Sequence, residues 1–191
     1  MSPKLMILLS ALLLSACTAI PVKTMYKLAT TDPMQVDPQV IRTAARMPNW
    51  LKPQPNGAKL FLSMQVENAP KPIKETFILQ AIPVSLAQKE LSAETKQGFD
   101  LYAYRINPDD LPRVQAFRES FKAKKSAGVK VKGSIEASVD ACHQGELLEG
   151  PILLSNYLRL DNETGYMPVL KDYDLREKVD QKGLEKFLPP C

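Results

Sequence analysis

Residues 129–141 read VKVKGSIEASVDA. Val129, Val131, Gly133, Ile135, Ala137, Val139 and Ala141 take every odd position; Lys130, Lys132, Ser134, Glu136, Ser138 and Asp140 take every even one. A period of two puts each set on its own face of a β-strand, one in a core and one in water. That division marks an antiparallel sheet. Upstream, Ala58, Leu60, Leu62, Met64 and Val66 alternate with Lys59, Phe61, Ser63, Gln65 and Glu67 and predict a second strand. The Pro70-Lys71-Pro72 turn leads into another near residues 74–82, which Pro83 stops. Phe99 to Ile106 predicts a strand covered on both sides, with Leu101 and Ala103 on one face and Tyr102 and Tyr104 on the other. Downstream, residues 152–160 and 166–171 flank the polar loop Asp161-Asn162-Glu163-Thr164-Gly165, a hairpin whose second strand is marked as an edge by Pro168.

Helices are predicted between these strands. Asp37 and Pro38 suit the start of one, Val40, Ile41, Ala44 and Met47 form its stripe, and Pro48 ends it. Trp50, the only tryptophan, follows and is expected to pack on the domain. A longer helix opens at Asp110 and Pro112, carries Leu111, Val114, Phe117 and Phe121 on one face and stops at Gly128. Residues 172–188 predict a last helix interrupted at Gly183, and residues 86–97 a short helix or loop. The expected fold class is α+β: a single domain with a mainly antiparallel β-sheet or sandwich and two to three short helices.

Apolar residues make up 45% of the 191-residue chain and charged residues 24%, which suits one packed domain rather than a disordered chain. The formal net charge is +4, too mild to imply nucleic acid. His143 is the only histidine, which excludes multi-His metal sites and most two-His mechanisms. There is no P-loop, G-x-G-x-x-G, H-E-x-x-H or G-x-S-x-G motif, and no cofactor is expected. Asp140, His143 and Glu146 recur every third residue, but at the end of a strand they do not share a face, and surface polarity near a turn accounts for them. A Cys142–His143 catalytic pair fails for the same reason, since neighbours on a strand point to opposite faces.

Residues 1–17 read MSPKLMILLSALLLSAC. Lys4 precedes an apolar run from Leu5 to Leu14 that is too short to span a bilayer, which needs about 20 residues, and the right length for a secretory leader. The ending Leu14-Ser15-Ala16-Cys17 resembles the lipobox of bacterial lipoproteins. The resemblance implies removal of residues 1–16 and acylation of Cys17, so that a lipid bilayer is the first partner. Thr18, where such proteins kept at the inner membrane carry Asp, implies an outer-membrane protein facing the periplasm. Asp37-Pro38 through Trp50-Leu51, with Ala58-Lys59-Leu60 opening a strand, is similar to proteobacterial envelope lipoproteins, a likeness that brings no activity with it. Residues 17–36 are then a lipidated N-terminus and flexible tether, able to reach about 60 Å, and residues 37–191 a single globular domain.

With Cys17 assigned to lipid, Cys142 and Cys191 remain, and an oxidising compartment favours a disulfide between them. Residues 113–132 hold seven basic side chains against Glu119 alone. Arg118, Lys122, Lys125 and Lys132 are candidates for binding an anionic envelope component or another envelope protein, although a solvated face with lysines at a helix C-terminus has the same composition. The expected function is that of a non-enzymatic interaction or structural domain on a membrane anchor. A small-ligand or lipid carrier would need a deep apolar pocket between sheet and helix, and a cell-envelope enzyme would need His143 or a carboxylate pair at the floor of a cleft.

Overall fold

The computed structural model describes residues 20–191 apart from Pro33. Seven strands form one curled sheet: β1 (Arg42–Pro48), β2 (Leu51–Val66), β3 (Ile73–Ile82), β4 (Phe99–Ile106), β5 (Val131–His143), β6 (Leu153–Arg159) and β7 (Met167–Asp174). Their order is β5-β2-β3-β4-β1-β6-β7, and every neighbouring pair is antiparallel. Among the described residues four α-helices accompany it: α1 (Val22–Thr30), α2 (Ser85–Gln88), α3 (Leu111–Ser126) and α4 (Gln181–Phe187). The α+β, mainly antiparallel architecture is thus as expected, with one more helix.

The alternating residues of β2 and β5 do what their period demands. Ala58, Leu60, Leu62 and Met64 face inward with Phe77 and Leu79 of β3 and Tyr104 and Ile106 of β4, and Val114, Phe117 and Phe121 of α3 close over them. Each such side chain taken fully from water contributes roughly 1.5–3 kcal/mol. Further along the same face, Ala45, Met47, Leu51 and Ala141 pack beneath Leu184 and Leu188 at the C-terminus, with Trp50 at the margin. The other face of the sheet is covered only at its centre, where Ala44, Ala103 and Tyr157 meet Ala87 and Leu91. β4 is therefore buried on both sides, as its sequence requires. Where β2 and β5 cross at residues 53–58, the register shifts; a Cβ on Gly57 would stand 2.8 Å from the Asp140 carbonyl oxygen, so only glycine fits that approach.

The structure corrects three expectations. Residues 42–48 are a strand, not part of a helix. β1 lies between β4 and β6 and is covered on both faces, so its apolar residues need not alternate, and their helical spacing is incidental. The Asp37-Pro38 signature makes only a turn, in which the Asp37 carboxylate accepts from the Gln39 amide at 2.9 Å. At the C-terminus, β7 runs on to Asp174 and α4 starts only at Gln181, where Asp180 caps it by accepting from the Gly183 amide at 2.8 Å.

The third correction concerns the tether. Residues 22–30 form α1, and Met34 and Val36 are buried in the main cluster. Thr24 and Leu28 turn α1 onto the body, and Lys27 reaches Asp161 at 3.0 Å in the β6–β7 loop. The folded body therefore begins near Val22, not residue 37. No helix among the described residues is long and apolar enough to cross a membrane.

Candidate functional site

The basic residues singled out in the sequence come from α3 and the start of β5. The helix start is held by Asn107, whose side chain accepts from the Asp109 amide at 3.2 Å; Asp110 instead binds Arg113 at 2.8 Å. Arg118, Lys122 and Lys125 recur at helical spacing along one side of α3 and border a cleft of about 400 Å³ with Asp32, Met34, Gln35 and Phe121. Arg118 does not face solvent. It is 9% exposed, donates from Nε to the Met34 carbonyl at 2.9 Å and from a terminal nitrogen to Gln115 at 3.0 Å, and so straps the N-terminal segment to the helix.

Lys122 lies 3.3 Å from Glu119 and Lys125 lies 3.5 Å from Asp32, both loose, exposed pairs of small energetic weight. Burial works to raise the Asp32 carboxyl, but the Met34 amide, the Gln35 side chain and Lys125 outweigh it and hold it below its ordinary value. Lys125 also borders a second cleft, of about 580 Å³, with Val129, Lys130 and Lys132. Lys132, however, alternates with Val131, Gly133 and Ile135, which face α3, so its side chain leaves the opposite face of the sheet. The four candidates gather at one end of the molecule without sharing one surface: Arg118, Lys122 and Lys125 border the first cleft, and Lys125 and Lys132 the second.

Cys17 lies outside the described residues. Cys142 and Cys191 form a disulfide with Cα atoms 4.9 Å apart. The backbone supports it, since the His143 amide donates to the Pro189 carbonyl at 3.0 Å and the Cys191 amide to the His143 carbonyl at 3.1 Å. The last residues thus extend the sheet beside β5. The His143 ring meets the Gly145 carbonyl at 2.8 Å, and Asp140 pairs with Lys59 at 2.6 Å, so Asp140, His143 and Glu146 do not converge. Among the described residues no group of three His, Cys, Asp or Glu side chains could hold a metal.

Sequence reasoning missed a buried ionic cluster on the outer face of β1. Arg46, 5% exposed, donates to the Glu94 carbonyl at 2.9 Å and its carboxylate at 3.1 Å, to Ser155 Oγ at 3.0 Å and to Asp172 at 2.6 Å. Tyr157 donates to Glu94 at 2.8 Å and Lys171 to its other oxygen at 2.7 Å. Burial opposes ionisation of Glu94, but Lys171, Tyr157 and Arg46 more than compensate and hold its carboxyl below the ordinary range. Burial, with the Glu94 bond, pushes the Tyr157 phenol well up. Two carboxylates already neutralise the guanidinium, and the cluster pins the turn at Ser92–Glu94 across β1, β6 and β7. Its geometry is that of a brace.

One apolar recess, between β1, β5, β6 and α4, holds about 140 Å³, well below the ~300 Å³ at which small-molecule sites begin. No protein-family model, curated protein or solved structure matches this chain.

Proposed function

We propose that this chain is a lipid-anchored protein of the bacterial cell envelope, acylated at Cys17, that holds a non-enzymatic interaction domain against the membrane, on the periplasmic side of the outer membrane. The observation that carries this reading is the fate of the three cysteines. Cys142 and Cys191 are joined, which leaves Cys17, at the end of the Leu14-Ser15-Ala16-Cys17 run, as the third cysteine of the sequence. The disulfide also suits an oxidising compartment. Several acyl chains on one residue hold a protein firmly, since each buried methylene contributes about 0.8 kcal/mol, whereas a single chain holds it only marginally.

The test is metabolic labelling with a fatty-acid analogue, with mass spectrometry of the N-terminal peptide. Wild-type protein is expected to carry acyl mass on Cys17, and Cys17→Ser to lose the label and leave the membrane fraction or remain unprocessed. Undiminished labelling of Cys17→Ser would overturn the assignment.

A further inference from the structure

The helix nearest the anchor turns its apolar side outward. At 100° per residue, Val22, Met25, Tyr26 and Ala29 of α1 share one face, and Thr24 and Leu28 lie opposite, against the body. Val22 is 82% exposed, Met25 55% and Tyr26 72%, and Ile20 just before them is exposed too. Lys23 and Lys27 flank the strip on one side. A surface helix of a globular protein normally does the reverse and buries its apolar stripe. Here the docked side carries one threonine and one leucine, and the free side carries valine, methionine and tyrosine.

What covers that side follows from its place in the chain. Val22 is five residues after Cys17, a connection that cannot exceed about 18 Å however extended. An anchor at Cys17 therefore keeps the start of α1 within about 18 Å of the lipid. A short apolar strip flanked by lysines and carrying an aromatic ring is the composition of a helix lying in the membrane interface. A second copy of the chain is a poorer occupant, because four side chains on a nine-residue helix fall far short of the roughly 800 Å² per partner that a stable interface buries.

We infer that α1 is a membrane-contact helix: it lies in the interfacial layer of the bilayer that holds the anchor, with Val22, Met25, Tyr26 and Ala29 turned to the acyl chains. This rests on the acylation of Cys17. The contact fixes the orientation of the domain, since Lys27–Asp161 and the burial of Thr24 join α1 to the sheet. The α1 side of the domain faces lipid, and the side of the sheet bearing α2 faces away.

The test uses mature full-length protein purified from envelopes and placed in vesicles of phosphatidylcholine and phosphatidylglycerol whose acyl chains carry bromine near the head group. In a Trp50→Phe background, Tyr26→Trp places a fluorophore on the strip, and Leu86→Trp places one on α2, at a position 67% exposed on the other side of the sheet. Bromine is expected to reduce the emission of the Tyr26→Trp variant by roughly twofold or more and to leave the Leu86→Trp variant unchanged; adding Met25→Asp should restore most of the lost emission. If Trp50→Phe does not fold, the same pair is compared with Trp50 retained and its own quenching subtracted. Mass spectrometry of each sample reads acylation separately. Acylated protein in which Tyr26→Trp is not quenched, or is quenched no more than Leu86→Trp, overturns the membrane-contact helix and leaves the anchor standing. Protein without acyl mass overturns the anchor and this inference with it.

Discussion

Met34 and Gly133 are in contact: a Cβ built on Gly133 would lie 2.9 Å from Met34 Cγ and 3.0 Å from its Cε, with Phe121 at 3.3 Å. The glycine in the otherwise regular alternation of β5 is thus the seat of a residue that lies outside the sheet. Gly133→Ala should expel Met34 or displace Phe121, at a cost of about 1–3 kcal/mol. Denaturant unfolding checks the loss, and proteolysis near residue 34 should accelerate. Unchanged stability would mean that the 34–36 segment is not part of the core.

The pair Lys27–Asp161 makes the docking of α1 sensitive to acid. The Thr164 amide, and after it Lys27, bring the Asp161 carboxyl down to about 2 from an ordinary value of 3.8. A depressed folded value means that the contribution is full above pH ~4 and is lost as pH falls through about 2. NMR titration of the Asp161 carboxyl should give that low midpoint. In Lys27→Gln it should rise yet stay below 3.8, because the Thr164 bond remains. A midpoint unaltered by Lys27→Gln would show that the ion pair does not form in solution.

Arg46 is the side chain the fold can least spare. Removing it takes the shared guanidinium from Glu94 and Asp172 and leaves them only Lys171 and Lys96 at the edge of the cluster. Breaking a fully buried pair by removing one partner costs about 3–5 kcal/mol; Asp172 is 42% exposed and screened by water, so Arg46→Ala should cost less than that and still unfold at lower denaturant. A triple variant that also carries Glu94→Gln and Asp172→Asn should recover part of the loss. No recovery would mean that packing, not charge, is what Arg46 supplies.

How far these features were legible depends on whether the information is local. β2 and β5 could be read because each carries its own alternating pattern of burial. β1 could not, because a strand buried on both faces loses its period, and Ala44 and Ala45 locally favour a helix. α1 was hidden because only Thr24 and Leu28 turn inward while valine, methionine and tyrosine turn outward, which imitates a tether. Arg46 finds its partners 48, 109 and 126 residues away, and no local motif encodes such a meeting. The disulfide was legible by counting, given the compartment that the Cys17 run implies.

Removal of that disulfide should be felt mainly at the C-terminus. The bond closes a loop of 49 residues, for which the chain-entropy account gives roughly 4 kcal/mol. Cys142→Ser with Cys191→Ser should lower stability by up to about that amount. It should also speed amide exchange at His143 and Cys191, whose hydrogen bonds join the last residues to β5. Two free thiols in unreduced protein from the envelope would reject the bond.

The basic end of α3 yields a prediction that separates its lysines. Lys122 and Lys125 border one cleft, held only by loose pairs to Glu119 and Asp32, and both can exchange those partners for a phosphate. Lys132 leaves the other face of the sheet, and Arg118 is committed to the Met34 carbonyl. If this end meets anionic lipid or lipopolysaccharide, binding should fall steeply as salt rises, because the Debye length shrinks from about 10 Å at 0.1 M to about 3 Å at 1 M. Lys122→Gln with Lys125→Gln should then lose most of the salt-sensitive binding to anionic vesicles and stay folded, since exposed pairs contribute little to stability. Lys132→Gln alone should keep nearly all of it. Equal losses from both would show that the whole basic end acts as a diffuse field, and no loss from either would leave the lysines as a solvated face.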